Sequence, residues 1–106
     1  SHQAIHLLQI AREALSNALK HSGATAVSLT VSQHDNQVKL VVRDNGRGLP
    51  ANAERSNHYG LIIMRDRAQS LRGDCQVRPG ESGGTDVIVT FIPEKPLFTA
   101  QGEHHV

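Results

Sequence analysis

Apolar residues recur along residues 2–21 at the spacing of one helix face. Leu8, Ala11, Leu15, Ala18 and Leu19 form the stripe, and Leu7, Ile10 and Ala14 widen it. Ser22-Gly23 stops this helix, with Lys20 and His21 in its last turn, where the helix dipole favours positive charge. From residue 26 the period changes to two. Val27, Leu29 and Val31 alternate with Ser28, Thr30 and Ser32, which predicts a strand over 26–32. After the turn-forming His34-Asp35-Asn36-Gln37 the alternation resumes with Val38, Leu40 and Val42, giving a hairpin with one buried face. The pattern breaks at Asp44-Asn45-Gly46-Arg47-Gly48-Leu49-Pro50, and the polar stretch that follows to about His58 is too short and unpatterned for an element of its own. Residues 60–72 predict a second helix with Leu61, Met64, Ala68 and Leu71 inward and Gly73 as its C-terminal stop. A strand at about 74–79, a turn over 80–84 and a strand at 86–92 make a second hairpin, ended by Pro93 and Pro96. Residues 1–93 thus read as the domain and 94–106 as a flexible tail. Helix, hairpin, loop, helix, hairpin predicts an α+β fold: a two-layer α/β sandwich, its sheet mixed or antiparallel, with helices on one face.

Composition narrows the picture. The 106 residues fit one domain. Eleven Lys and Arg against ten Asp and Glu leave a net charge of +1, which argues against direct nucleic-acid binding. One Tyr, two Phe and no Trp leave little for stacking bases. No apolar run approaches the roughly 18–20 residues of a membrane span. Cys75 is the single cysteine, so the chain closes no internal disulfide and no cysteine-based zinc site. Among the seven histidines, His2 and His6 share a helix face, but nothing supplies a third ligand at a recognisable spacing.

Four points carry candidate chemistry. On the polar side of the first helix, Glu13, Asn17 and Lys20 fall within roughly 60° of one another, with His21 close by. This is either a solvated surface network or a working edge; a mid-helix asparagine, a poor helix former, leans towards the latter. Asp44 ends a buried strand, and Gly46 and Gly48 then flank Arg47. That stretch suits a plain turn, and it also lets backbone approach a flat ligand beside a carboxylate able to accept from an exocyclic amine. Tyr59-Gly60-Leu61 opens the second helix, where free N–H groups suit phosphate oxygens, and Gly83-Gly84-Thr85 enters the last strand. The chain has no Gly-x-x-x-x-Gly-Lys-Ser/Thr loop, and Gly46-Arg47-Gly48 lacks the third glycine of a dinucleotide fingerprint.

In this order and spacing, the four points resemble the ATP-binding catalytic domain of bacterial sensor histidine kinases, of the Bergerat-fold superfamily. Residues Arg12 to Ser22 look like that family's asparagine box, Asp44-Asn45-Gly46-Arg47-Gly48 like its first glycine box, and Gly83-Gly84-Thr85 like its last. Gly60-Leu61-Ile62-Ile63-Met64-Arg65-Asp66-Arg67 resembles the short-lid subclass, whose sensors pair with LuxR-type response regulators, and the wording is closest to its nitrate/nitrite sensors. The resemblance implies ATP and Mg²⁺ as ligands. It implies Asp44 as acceptor for the adenine amino group, Gly46 and Gly48 alongside the base and Gly84 and Thr85 in support. It further implies Asn17 as the Mg²⁺ ligand, Glu13 as base or water-orienting group, Lys20 and His21 towards the phosphates, and the amides of Gly60 and Leu61 capping them. His58 stands where the second glycine box normally has a glycine. No histidine here fits the phosphoacceptor pattern, so the acceptor helices, membrane spans and sensor region would lie upstream. The resemblance therefore describes the cytoplasmic domain of an inner-membrane homodimer, monomeric by itself. The rival readings are a stand-alone Bergerat ATPase or anti-sigma-type serine kinase, and a degenerate interaction module.

Overall fold

The computed structural model describes residues 2–56, 59–81 and 83–94. Its elements are α1 (His2–Lys20), β1 (Val27–His34), β2 (Gln37–Asp44), α2 (Ala53–Ser56), α3 (Leu61–Ser70), β3 (Asp74–Pro79) and β4 (Thr85–Phe91). The four strands form one sheet in the order β1-β2-β4-β3. Every pairing in it is antiparallel, so the sheet is not mixed. The two hairpins join where β2 meets β4, with Val38 opposite Phe91, Leu40 opposite Val89 and Val42 opposite Val87. Because strand side chains alternate, these residues, with Cys75 and Val77 of β3, share one face. Onto it pack Ile10, Ala11, Ala14 and Ala18 of α1 and Leu61, Met64 and Ala68 of α3, with Leu71 just beyond, in a single core.

Three sequence expectations need correction. The apolar stripe of α1 is centred one step round from Leu8 and Leu19, which are 69% and 75% exposed, while Ile10 and Ala14 are buried. The helix rests over β2 and against α3, and the edge strand β1 extends past its cover; Leu29 is accordingly 39% exposed. The loop before α3 does contain an element. Ala53 donates its N–H to the Pro50 carbonyl at 3.1 Å and buries its methyl group in the core, which nucleates the single turn of α2.

The third correction is the stop of α3. Arg72, at φ +57°, takes the left-handed position. Its N–H bonds the Gln69 carbonyl and the Gly73 N–H bonds the Ala68 carbonyl, both at 2.9 Å, which is a Schellman closure. Gly73 serves another purpose: a Cβ there would fall on the Thr90 carbonyl of β4. Beyond β4, the Gln3 amide accepts the Glu94 N–H at 2.8 Å and donates to the Ile92 carbonyl at 3.3 Å, tying the end of the sheet to the start of α1. The expected tail beyond Glu94 lies outside the described residues.

Candidate functional site

The site forms where the end of α1, the β2–α2 loop and the start of α3 converge over one end of the sheet. Asn45 anchors the loop. Its Oδ1 accepts the N–H groups of Thr25 and Ala26, and its Nδ2 donates to Thr25 Oγ1, all at 2.9 Å. The Arg47 N–H bonds the Ser22 carbonyl at 2.9 Å and its Nε bonds the His21 carbonyl at 3.1 Å, so the loop also closes on the end of α1. Gly46 is required there because a Cβ would fall on the Ser22 carbonyl oxygen. Gly84 is required on the other side, where a Cβ would fall on the carbonyl oxygen of Asp44. Both glycines therefore serve backbone-to-backbone packing inside the protein. Gly48, at φ +81°, lies beside Gly84.

Asp44 is half-buried, and its Oδ1 accepts the Gly46 N–H at 2.9 Å. With the buried hydroxyl of Thr85 and the amide of Asn17 it lines a narrow slot whose walls include Leu49, Leu61, Met64 and Val87. The slot holds about 10 Å³, room for no more than one water molecule. Beside it opens a cavity of about 370 Å³ lined by Lys20, His21, Arg47, Gly48, Leu49, Pro50 and Tyr59, a basic recess next to an apolar slot. A larger depression of about 470 Å³ takes in Arg43, Arg78 and Asp86, with Arg43 Nε 3.4 Å from Asp86 Oδ2, but no residue of α1.

The polar edge of α1 faces the start of α3. Asn17 Nδ2 donates to the Tyr59 carbonyl at 2.6 Å. The Glu13 carboxylate lies against Gly60, where it would be 2.7 Å from a Cβ. The His21 and Tyr59 rings meet edge to face at 4.7 Å. Gly60, at φ +67°, is the N-cap of α3 and provides no side-chain cap. Leu61 presents its side chain to the core, leaving only its backbone to the site. Thus Glu13, Asn17, Lys20 and His21 gather on one side of the slot and Asp44, Gly46, Gly48, Gly84 and Thr85 on the other. His58 lies outside the described residues. Asn45, Ser22 and Tyr59 lie within the sequence motifs, which gave none of them a contact in the site: Asn45 and Ser22 hold the loop, and Tyr59 meets Asn17; the Asp-Asn-Gly turn was the signal for Asn45. Among the described residues no cluster of three or more His, Cys, Asp or Glu could hold a metal by itself. Cys75 stands apart in the core. Burial pushes its thiol up to about 11, with Asp74 adding to the rise and Arg65 opposing it.

Residues 2–96 match the family described as histidine kinase-, DNA gyrase B- and HSP90-like ATPases. The chain is 75% identical over 105 residues to the nitrate/nitrite sensor protein NarX of Escherichia coli (strain K12), covering 99% of this chain and 18% of that protein. It is 42% identical over 88 residues to the nitrate/nitrite sensor protein NarQ of the same organism, 82% of this chain and 16% of that protein. It is 37% identical over 92 residues to the sensor histidine kinase LiaS of Bacillus subtilis (strain 168), 85% of this chain and 26% of that protein. The crystal structure of the ATP-binding domain of PrrB from Mycobacterium tuberculosis superposes with a TM-score of 0.74 at 26% identity, over 86% of this chain and 69% of that one. The chain spans less than a fifth of the length of the nitrate/nitrite sensors it matches.

Proposed function

Since the chain belongs to the family of histidine kinase-, DNA gyrase B- and HSP90-like ATPases, we propose that it is the ATP-binding domain of a nitrate/nitrite-sensing histidine kinase and donates the γ-phosphoryl group of ATP to a histidine elsewhere in the full protein. The observation that carries this reading is the adjacency of an apolar slot ending in Asp44 and Thr85 to a basic recess holding Lys20, His21 and Arg47. A purine is flat, apolar on its faces and polar at its edge, and the slot offers that pattern. The recess offers cations where the phosphates emerge, with the N-terminus of α3, to which Gly60 lends no side-chain cap, beside them.

The Asn17 amide nitrogen is engaged by Tyr59, which leaves its Oδ1 as a hard oxygen ligand, one helical turn from the Glu13 carboxylate. One or two protein oxygens, with phosphates and waters filling the remaining positions, fit Mg²⁺. Bound there, the ion would neutralise charge on the phosphate oxygens. Asp44 accepts from the adenine amino group, and Thr85 and Gly48 fix the base. Lys20 and His21 hold the terminal phosphates. In the transfer, an imidazole nitrogen of the acceptor histidine forms a bond to the γ-phosphorus. The bond from that phosphorus to the β,γ-bridging oxygen breaks, ADP leaves with the electron pair, and Glu13 takes the imidazole proton. The phosphoryl group then passes to an aspartate of a LuxR-type response regulator. In the full-length protein, a membrane-anchored homodimer, this domain is cytoplasmic.

Calorimetric titration of the chain with ATP, with and without Mg²⁺, tests the reading. Saturable one-site binding, competed by ADP and strengthened by Mg²⁺, is the expected result, without stable phosphorylation of the chain itself. Absence of binding at millimolar ATP overturns it in favour of a degenerate interaction module, and steady turnover without partners in favour of a stand-alone ATPase.

A further inference from the structure

Arg47 stands between Gly46 and Gly48, exposed to solvent yet fixed in place. Its backbone N–H bonds the Ser22 carbonyl at 2.9 Å and its Nε bonds the His21 carbonyl at 3.1 Å, both just past the last residue of α1. A guanidinium has five N–H donors, and the bond to His21 uses one of them. Among the described residues no hydrogen bond or ion pair engages Nη1 or Nη2. An edge of the planar group with two parallel donors is therefore open. The surroundings fix what that edge meets. Arg47, Gly48 and Leu49 line the basic recess, and they also line a cavity of about 280 Å³ that includes Val77, Gly84 and Thr85. Leu49, Val77 and Thr85 are walls of the slot itself, so the segment 47–49 crosses its mouth. Away from the slot, Lys20 also lines a groove of about 360 Å³ between α1 and α3, which contains Glu13 and no residue of the slot. A ligand running from the slot to Lys20 passes Arg47 first.

We propose that Arg47 is a specificity-determining residue of this site: its Nη1–Nη2 edge takes the phosphate next to the ribose and so separates nucleotides from the free nucleoside. The proposal rests on the nucleotide reading of the slot and recess. In ADP or ATP the phosphate next to the ribose has two non-bridging oxygens sharing one negative charge, which matches a fork of two parallel donors. Lys20, a point charge on a flexible stem, suits the outer phosphates instead. The competing role for Arg47 is structural. A cation bonded to carbonyls at the end of α1 is favoured by the helix dipole whatever binds nearby, so only the dependence on ligand charge separates the two roles.

The test measures the affinity of the chain for adenosine, AMP, ATP and tripolyphosphate by calorimetry, in the parent, Arg47→Ala, Arg47→Lys and Lys20→Ala. Arg47→Ala is expected to weaken AMP and ATP each about ten- to a hundredfold, as the loss of charge-assisted hydrogen bonds requires, and adenosine by less than about threefold. Arg47→Lys keeps the charge without the fork and is expected to fall between parent and Arg47→Ala for AMP. Lys20→Ala is expected to weaken ATP and tripolyphosphate while sparing AMP. Equal losses for adenosine and AMP in Arg47→Ala reduce Arg47 to a cap on α1 and overturn the proposal. A loss confined to ATP, with AMP unchanged, overturns it as well. A parent that binds tripolyphosphate through Arg47 but no adenine compound upholds anion capture by Arg47 and removes the nucleotide reading instead.

Discussion

Asp44→Asn separates the nucleotide role proposed for this side chain from its structural one. In the free protein Asp44 Oδ1 accepts the Gly46 N–H at 2.9 Å, a bond that shapes the loop under the slot. Asparagine keeps an oxygen for that bond, so the fold is expected to survive with little loss. What changes is the second position, where a carboxylate oxygen becomes an NH₂ donor that, in the proposed binding mode, would face the donor amine of the base. Losing one charge-assisted hydrogen bond costs about 1.5–3 kcal/mol, or roughly ten- to a hundredfold in affinity. Asp44→Ala removes the acceptor for Gly46 as well and should lower stability by about 1 kcal/mol, a fall of roughly 4–8 °C in melting temperature for a chain of this size. Calorimetric ATP titrations and thermal melts on the three proteins separate the effects. The reasoning is refuted if Asp44→Asn binds ATP within threefold of the parent, or if it loses as much stability as Asp44→Ala.

Other substitutions test the scaffold. Arg72 occupies a left-handed position at φ +57°, so Arg72→Gly is expected to stabilise by about 0.5–1 kcal/mol, read as a higher urea midpoint with ATP binding unchanged. Gly46→Ala forces a Cβ onto the Ser22 carbonyl and should cost about 1–3 kcal/mol, together with nucleotide affinity, because the loop that carries Asp44 must shift. Asn45→Ala releases three hydrogen bonds to residues 25 and 26 and should lower the melting temperature measurably while leaving Asp44 its own contact to Gly46. Burial pushes the Cys75 thiol up to about 11, so below about pH 8 it is protonated in both native and unfolded chains. As pH rises from about 8 towards about 11 the unfolded chain releases the proton before the native chain does. The stability of the parent relative to Cys75→Ala should therefore decline across that window, as urea midpoints would report.

Much of this was legible from pattern, and the misses have physical causes. The period-two runs in 27–31 and 38–42 marked the first hairpin because one face of β2 is fully buried. The same rule overstated β1, since alternation tells which side a residue faces and not whether anything covers it; at the sheet edge Leu29 keeps 39% of its surface in water. Periodicity likewise found α1 but not its rotation. Alanine and leucine count alike as apolar, yet it is the small side chains of Ala11, Ala14 and Ala18 that lie in the core while Leu8 and Leu19 stay out. The turn of α2 was unreadable because one buried alanine and one carbonyl from Pro50 make it, a tertiary effect with no local pattern. Gly73 was credited with the left-handed stop that Arg72 adopts, because composition cannot separate a glycine needed for its φ from one needed for close approach to β4.

The same distinction governs the glycine boxes. On sequence alone Gly46 and Gly48 suggest room for a ligand, yet Gly46 and Gly84 are filled by the protein's own backbone, against Ser22 and Asp44. The spacing of the motif is thus fixed first by how three chain segments meet, and the ligand is left the remaining surface: one edge of Asp44, the Thr85 hydroxyl and the walls of a slot of about 10 Å³. A purine enters only if Leu49, Leu61 or Met64 yields. Leu61 is the first residue of α3, directly after Gly60, which abuts Glu13, and Tyr59, whose carbonyl takes the Asn17 amide. Opening the slot at Leu61 therefore pulls on the groups assigned to the phosphates and the metal. On the proposed reading, base recognition and phosphate positioning are joined through one helix start, and a change at Gly60 or Tyr59 should disturb both halves of the site together.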